Sequence, residues 1–212
     1  MRACILTGGT LGDVSRVSAR LPRMDYVICA DDGLSHAEIL GLTPDRVVGD
    51  FDSVDPGLLA RYRKSPAVFQ EYPSRKDETD TQIAVDSLVA MGACEIWVVA
   101  GAGTRLDHSY ANLMLLFRIA EKGAKACLIN QYNLIMPVLD AIEIQGEPGQ
   151  VVSFLPFGGE AVVETAAGLS YPLDGLRMSM TEPVGISNVM TEKKAHVRLK
   201  KGRLLCMMAW DE

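Results

Sequence analysis

Residues 46–53 read Arg46-Val47-Val48-Gly49-Asp50-Phe51-Asp52-Ser53. A short apolar run, a glycine and two carboxylates one residue apart describe a strand that ends at a sheet edge and opens into an acidic turn. On extended backbone, residues i and i+2 point to the same side, so Asp50 and Asp52 are expected to face each other. Two bare carboxylates about 5 Å apart, at an effective dielectric near 20, repel by about 3 kcal/mol. Protonation offsets that, and so does a divalent cation. Mg²⁺ takes one or two carboxylates plus water and phosphate oxygens, which suits the pair. Gly49 lets the chain turn and Ser53 adds a hydroxyl. A single Asp-x-Asp, taken alone, is better read as an acidic surface turn.

The same pattern recurs around it. Apolar runs at 3–6, 26–30 and 95–100 end in Thr7-Gly8-Gly9, Asp31-Asp32 and Gly101-Ala102-Gly103, and a further run lies at 126–129. Near-continuous apolar runs suit parallel strands covered on both faces. Helix patterns separate them. Thr79-Asp80-Thr81-Gln82 fits a capping box, after which Ile83, Leu88 and Met91 share one side and Gly92 closes the segment. A second helix spans 107–122, with Leu113, Leu116, Phe117 and Ala120 on its apolar stripe and Gly123 as its stop. Residues 1–135 are therefore expected to form a doubly wound, mostly parallel α/β sheet with helices on both faces. Ligands bind beyond the carboxyl ends of such strands, where Asp31, Asp50 and the Gly101 loop fall. The texture changes at Gly146-Glu147-Pro148-Gly149. Short β-like runs follow at 151–154, 161–165, 195–199 and 204–209, and Lys201-Gly202 reads as a hairpin turn. Residues 146–212 are expected to be a small antiparallel β-sandwich. Its core is slight, so it should pack on the first domain or on a second subunit.

Bulk properties narrow the classes. The length of 212 residues suits one large or two modest domains. A net charge of −6 argues against general nucleic-acid or anionic-membrane binding. The five cysteines, Cys4, Cys29, Cys94, Cys127 and Cys206, form no CxxC pair and lie in or at the start of apolar runs. They read as small buried hydrophobes rather than ligands or disulfides, which fits a reducing cytoplasm. The first apolar stretch ends too early at Thr7-Gly8-Gly9 for a signal peptide, and no segment approaches the ~18 apolar residues of a membrane span.

Two further clusters carry chemistry. Asp77-Glu78-Thr79-Asp80 lies at a helix N-terminus, where carboxylates are favoured by the dipole, and Glu78 is expected to do no more than that. Lys76 beside it suits a site that accepts a phosphate as well as a metal. Gly101-Ala102-Gly103-Thr104-Arg105-Leu106-Asp107-His108 is a loop that exposes backbone N–H groups to an anion. Arg105 can clamp phosphate oxygens bidentately. Asp107 either caps the next helix or orients Arg105 or His108, and His108 reads equally well as a satisfied helix-start histidine. No GxxxxGK[ST] motif is present, which excludes a Walker-type site. The loop from Thr7 to Gly12 is a weaker signal. His36 and His196 read as inert, and the ten methionines as core filler.

In order and spacing these blocks resemble the thiamine pyrophosphokinase family. Ala30-Asp31-Asp32-Gly33 resembles its A-D-G-G, Gly49-Asp50-Phe51-Asp52-Ser53 its G-D-F-D-S, and Lys76-Asp77-Glu78-Thr79-Asp80 its K-D-x-T-D. Gly103-Thr104-Arg105-Leu106-Asp107-His108 resembles G-G-R-x-D-H, and Gly185-Ile186-Ser187-Asn188 looks like G-I-S-N. The resemblance implies a catalytic α/β domain, a thiamine-binding and dimerising β-sandwich, and a homodimer with active sites between subunits. It implies Mg²⁺-dependent transfer of an intact diphosphoryl group from ATP to the hydroxyl of thiamine, releasing AMP. By position, Asp50, Asp52 and Asp80 would hold Mg²⁺ with Asp31 and Asp77 nearby. Lys76, Asp77, Asp80 and Arg105 would form the catalytic group, with Asp77 or Asp80 accepting the hydroxyl proton. Asp31, Ser53, Thr79, Thr104, Arg105, Asp107 and His108 would bind the substrates, and Ser187 and Asn188 would help form the thiamine pocket. Cationic thiamine also favours an acidic pocket.

Three positions depart from the pattern. Asp32 and Thr104 stand where the family has glycine, so side chains there narrow the nucleotide pocket or shift its preference. Val189 stands where bacterial relatives often carry Glu. The last strand ends in Met208-Ala209-Trp210, and the aromatic that stacks on thiamine stays unassigned. Two rival readings share the acidic residues. One is a haloacid-dehalogenase-like phosphatase using Asp50-Phe51-Asp52-Ser53-Val54, a loop that family puts after its first strand. The other is a non-catalytic nucleotide or thiamine sensor whose altered glycines disable turnover.

Overall fold

The structure is a computed structural model that describes residues 1–210, and the chain divides into two compact units after Gln131. In the first unit strands and helices alternate: β1 (Arg2–Leu6), α1 (Val14–Ser18), β2 (Tyr26–Ala30), α2 (Gly33–Leu40), β3 (Arg46–Gly49), α3 (Pro56–Tyr62), β4 (Val68–Glu71), α4 (Asp80–Ala90), β5 (Glu95–Val99), α5 (Leu106–Glu121) and β6 (Lys125–Ile129). All pairings among these strands are parallel, in the order β6-β5-β1-β2-β3-β4. The chain runs outward from β1 to β4 and then returns to the other side of β1. Right-handed crossovers therefore put α1, α2 and α3 on one face and α4 and α5 on the other. The packing agrees: α2 touches α1 and α3, and α4 touches α5. Both faces are covered, so the central strands are apolar throughout, with Ala3, Cys4, Ile5 and Leu6 of β1 fully buried. The reversal between β1 and β5 opens the crevice in which a ligand can sit.

Some local expectations change. β4 does not read as a strand in the sequence because it is a half-exposed edge, with apolar Val68 and Phe69 followed by Gln70 and Glu71. The buried face of α4 is Thr81, Ala84, Val85 and Leu88, rather than the Ile83–Leu88–Met91 side; Met91 is exposed. Helix α5 buries Leu116 and Phe117 as expected, together with Leu115 and Ile119, while Leu113 and Ala120 are only half-buried.

The second unit contains β7 (Asn133–Val138), β8 (Ala141–Gln145), β9 (Val151–Pro156), β10 (Ala161–Ala167), β11 (Arg177–Met178), β12 (Asn188–Val189), β13 (Lys194–Lys201) and β14 (Leu204–Ala209). They form an antiparallel sandwich of β12-β9-β14-β7 against β11-β10-β13-β8. The inner faces share one core: Val152, Phe154 and Cys206 from the first sheet meet Val163, Val197 and Leu199 from the second. On β13 these inward residues alternate with exposed Lys194, Arg198 and Lys200, the period of a strand with one wet face. Strands β7 and β8 lie before the Gly146 turn: β7 begins inside the 1–135 range expected for the first domain, and β8 lies between the two expected domains. Pro137 hides β7, since a proline within a run argues against a strand; here it pairs in register with Leu205. Lys201-Gly202 is not a hairpin turn. β13 and β14 belong to different sheets, so the chain crosses the sandwich there.

Cys4, Cys29, Cys127 and Cys206 are buried free thiols, and burial pushes Cys4 and Cys127 up to about 12. Cys94 departs from expectation: it is exposed, and its Sγ donates to the Met1 carbonyl at 3.3 Å. Among the described residues no helix is long and apolar enough to cross a membrane.

Candidate active site

The loops after β1, β2, β3 and β5 and the N-terminus of α4 enclose a cavity of about 670 Å³. Most of the site residues expected from sequence line it: Asp31, Asp50, Asp52, Ser53, Lys76, Thr79, Asp80, Thr104, Arg105 and His108. Asp77 and Asp107 are exposed beside it and do not line it. Glu78, expected only to favour the helix end, does line it. Thr79 caps α4 as the pattern predicts, its Oγ1 accepting the Gln82 N–H at 3.2 Å.

The acidic wall is built on strained backbone. Asp31 has φ 46° and Phe51 has φ 60°, both in the left-handed region. Asp31 Oδ1 accepts the N–H groups of Asp50 at 3.1 Å and Phe51 at 3.4 Å, tying the ends of β2 and β3 together. Gly49 has no alternative: its φ is 146°, and a Cβ there would fall 1.7 Å from Asp31 Oδ1. The Asp50–Asp52 segment is thus a tight left-handed turn, not extended chain. The two carboxylates still converge, because the turn drives the Phe51 ring inward, where it is 6% exposed. The Asp52 N–H donates to Asp50 Oδ1 at 3.2 Å.

Electrostatics show an excess of negative charge. Burial, and then the neighbouring Asp80 carboxylate, push Asp31 up to about 7. A hydrogen bond from Ser74 holds Asp50 below the usual carboxylate range, and contact with Asp50 raises Asp52. Lys76 and Asp80 pair with side chains only 13% and 16% exposed. The ammonium lies 3.0 Å from Oδ1 and 3.2 Å from Oδ2. Only the Oδ2 contact is aligned as a hydrogen bond, so buried Oδ1 receives no donor.

Among the described residues, no group of three or more His, Cys, Asp or Glu side chains is placed so that it could by itself hold a metal ion. That is compatible with a cation that keeps water and phosphate ligands and takes few carboxylates. The donor set has that character: Asp50, Asp52 and Asp80 line the cavity, one buried Asp80 oxygen makes no hydrogen bond, and the Asp31 carboxyl is pushed up to about 7 by burial and by Asp80. These residues fit Mg²⁺.

The loop after β5 also lines the cavity and is held by polar groups. Asn112 Nδ2 donates to the Gly101 carbonyl at 2.7 Å, and Ser109 Oγ accepts the Gly103 N–H at 3.0 Å. Thr7 Oγ1 donates to the Ala100 carbonyl at 2.6 Å, and the Thr10 N–H to the Ala102 carbonyl at 2.8 Å. His36 is not idle, as its Nδ1 lies 2.8 Å from the Thr7 carbonyl. Ser74, Ser109 and Asn112 all line the cavity and escaped the sequence reading. The one available signal was Asn112, a polar residue on the buried face of α5. Arg105 occupies the N-cap position of α5, and of the roles open to Asp107 the structure selects one: it pairs with Arg105 at 2.6 Å, which holds Asp107 down to about 2. Of the departures, Asp32 opens α2 without capping it and faces the cavity, as does exposed Thr104. Val189 is half-buried in β12, paired with Val151.

In the second unit, Ser187 has φ 56° and its N–H donates to Ser153 Oγ at 3.0 Å. Asn188 is 1% exposed. Its Nδ2 donates to the Tyr171 carbonyl at 2.8 Å, and its Oδ1 accepts the N–H of Tyr171 at 3.0 Å and of Val189 at 2.8 Å. Asn188 thus fixes the backbone of Tyr171, a residue that is itself 63% exposed. Trp210 packs partly buried against the sandwich core instead.

A family model described as thiamin pyrophosphokinase, catalytic domain, matches residues 18–128, and one described as thiamin pyrophosphokinase, vitamin B1 binding domain, matches residues 141–204. The chain is 28% identical over 210 residues to the thiamine pyrophosphokinase of Bacillus subtilis (strain 168), covering 98% of each. It superposes on the crystal structure of thiamine pyrophosphokinase from Bacillus subtilis with a TM-score of 0.89 at 25% identity, over the whole of both chains. The thiamin pyrophosphokinase from Candida albicans shares the fold at 14% identity, with a TM-score of 0.85 and coverage of 99% of this chain and 89% of that one. The phosphatase reading has no support: the Asp50–Asp52 turn follows the third strand, not the first. The sensor reading has none either.

Proposed function

The chain belongs to the thiamin pyrophosphokinase family, and from that membership we propose that it transfers the diphosphoryl group of ATP to the hydroxyl of thiamine, giving thiamine diphosphate and AMP. The observation that carries this reading is one cavity lined both by an acidic cluster with a raised carboxyl at Asp31 and by the cations Lys76 and Arg105. Asp50, Asp52 and Asp80 would hold Mg²⁺, which when bound would neutralise charge on the phosphate oxygens. Lys76 exchanges its contact with Asp80 for a phosphate oxygen, and Arg105, steadied by Asp107, contacts the phosphates from the loop after β5. Ser53, Thr79, Thr104 and His108 complete the lining. The thiamine hydroxyl attacks the β-phosphorus in line, and positioning supplies most of the rate. Of the two carboxylates considered for the hydroxyl proton, Asp80 lines the cavity and Asp77 does not, which favours Asp80 by position. Incubation with ATP, Mg²⁺ and thiamine should yield AMP and thiamine diphosphate in equal amounts. Release of ADP with thiamine monophosphate, or of inorganic phosphate alone, would overturn the reading.

The second unit supplies the thiamine pocket in a homodimer of the reducing cytoplasm, with each active site shared between subunits. A cationic ring is attracted to an aromatic face. Tyr171 offers such a face at low entropic cost, because Asn188 fixes its backbone from both sides. Tyr171→Ala should raise the KM for thiamine about ten-fold with the KM for ATP unchanged, and Tyr171→Phe should stay near native. Steady-state kinetics with each substrate varied checks this, and equal effects on both substrates would remove the role. Light scattering should give twice the chain mass.

A further inference from the structure

Phe51 sits between two carboxylates that face the cavity, yet its own ring faces away from it and is buried. There it meets Phe69 of β4 edge to face, with ring centroids 5.8 Å apart and planes at 68°. Arg63, the residue that ends α3, lies over both rings, its Cζ 5.8 Å from the Phe51 centroid and 5.6 Å from that of Phe69. Among the described residues its only ion pair is a long, solvent-exposed one to Glu71 at 3.5 Å, which contributes little. Phe51 needs such an anchor. At φ 60° it adopts a conformation that bulky side chains rarely take, and such strain persists only where the surroundings over-determine it. If the ring let go, the turn would relax toward ordinary backbone and Asp50 and Asp52 would diverge.

We propose that Arg63 is a positioning residue for the metal pair: it clamps Phe51 against Phe69 and so sets the left-handed turn that aims Asp50 and Asp52 at one point. Arg63 lies outside the cavity lining. The inference rests on the reading of Asp50 and Asp52 as Mg²⁺ ligands. Its sign is diagnostic. Removing a cation near an acidic cluster should by itself tighten cation binding, whereas loss of the clamp should weaken it.

The test is titration of the purified full-length protein with Mn²⁺ alone, without nucleotide, followed by the electron-spin signal of the free ion. Arg63→Ala should weaken Mn²⁺ binding about ten-fold, the scale of outer-shell losses, and Arg63→Lys, which keeps a cation over the rings, should recover most of it. Arg61→Ala removes the same charge from the same helix, but Arg61 lies over Tyr62 rather than Phe51; it should bind Mn²⁺ as the native chain does or slightly more tightly. Circular dichroism confirms that the variants fold. If Arg63→Ala does not, Phe69→Leu removes one wall of the clamp at similar volume and should give the same loss. Native-like or tighter Mn²⁺ binding by folded Arg63→Ala or Phe69→Leu overturns the clamp and leaves the metal reading standing. Absence of Mn²⁺ uptake by the native chain overturns both.

Discussion

Asp80→Asn should cut the rate of AMP formation by at least about 10³-fold, equivalent to about 4 kcal/mol of transition-state stabilisation, while the protein still folds. Asp80 is where the lines of the site cross. Its carboxylate pairs with a Lys76 that is 13% exposed, raises the half-buried Asp31 next to it, and keeps one buried oxygen without a hydrogen bond. Asparagine keeps the shape and one acceptor but removes the charge. The metal loses a ligand, and Lys76 loses the partner that holds it in place. Loss of one preorganised electrostatic group typically costs 10²–10³ in rate, and here two groups fail together. Folding should suffer less than the isolated ion pair suggests, because removing the Asp80 charge relieves Asp31. Asp52→Asn should be milder, since Asp52 is exposed, and Asp77→Asn should stay within a few-fold of native, since Asp77 does not line the cavity. Single-turnover assays at saturating ATP and thiamine measure this. Asp80→Asn retaining a tenth or more of native turnover would contradict the role assigned to it.

How much of this was legible in the chain differs from element to element. The central parallel strands announce themselves, because burial on both faces demands unbroken apolar runs. The edge strand β4 and the proline-bearing β7 do not, since their stability comes from one neighbour and from packing the sequence does not display. Convergence of Asp50 and Asp52 could be read, but on the wrong geometry: extended chain was expected, and a left-handed Phe51 does the work. Asp31 and Asp80 meet only because the strand order places the end of β2 and the start of α4 at one crevice. No spacing rule encodes that contact; the motif order of a known family supplied it.

What stayed hidden are residues whose part depends on a partner. Ser74 and Ser109 are ordinary serines until the fold brings one to Asp50 and the other to the Gly103 amide. Tyr171 carries no signal of its own, because what distinguishes it is Asn188, seventeen residues on, gripping its backbone. Lys201-Gly202 shows the converse failure. The turn chemistry is real, but whether the chain folds back on the same sheet or crosses to the other is decided by which partners β13 and β14 find.

Asp31→Asn should stabilise the metal-free protein at pH 8 by about 1–2 kcal/mol while lowering turnover about 10²-fold. The reason is linkage. Burial and Asp80 push the folded-state carboxyl up to about 7, against about 3.9 in an unfolded chain. Below pH ~4 both states hold the proton and the group is neutral to stability. Between pH ~4 and 7 the folded state keeps a proton that the unfolded state has lost, so stability falls as pH rises, and above 7 the full penalty persists. The shift taken at face value would exceed 4 kcal/mol at 1.36 kcal/mol per unit; partial exposure screens it to the smaller figure. Asparagine never ionises, so it escapes the penalty. It also keeps the Oδ1 acceptor for the Asp50 and Phe51 N–H groups and tolerates the φ of 46° better than most residues. Urea unfolding of both proteins in chelator should therefore show the variant ahead at pH 8, with the advantage gone near pH 4. Adding Mg²⁺ should stabilise the native chain more than the variant, because only the native chain has the excess charge for a cation to relieve. A variant less stable than native at pH 8 would mean that the ionised Asp31 is welcome where it sits, and the acidic wall would then need no cation.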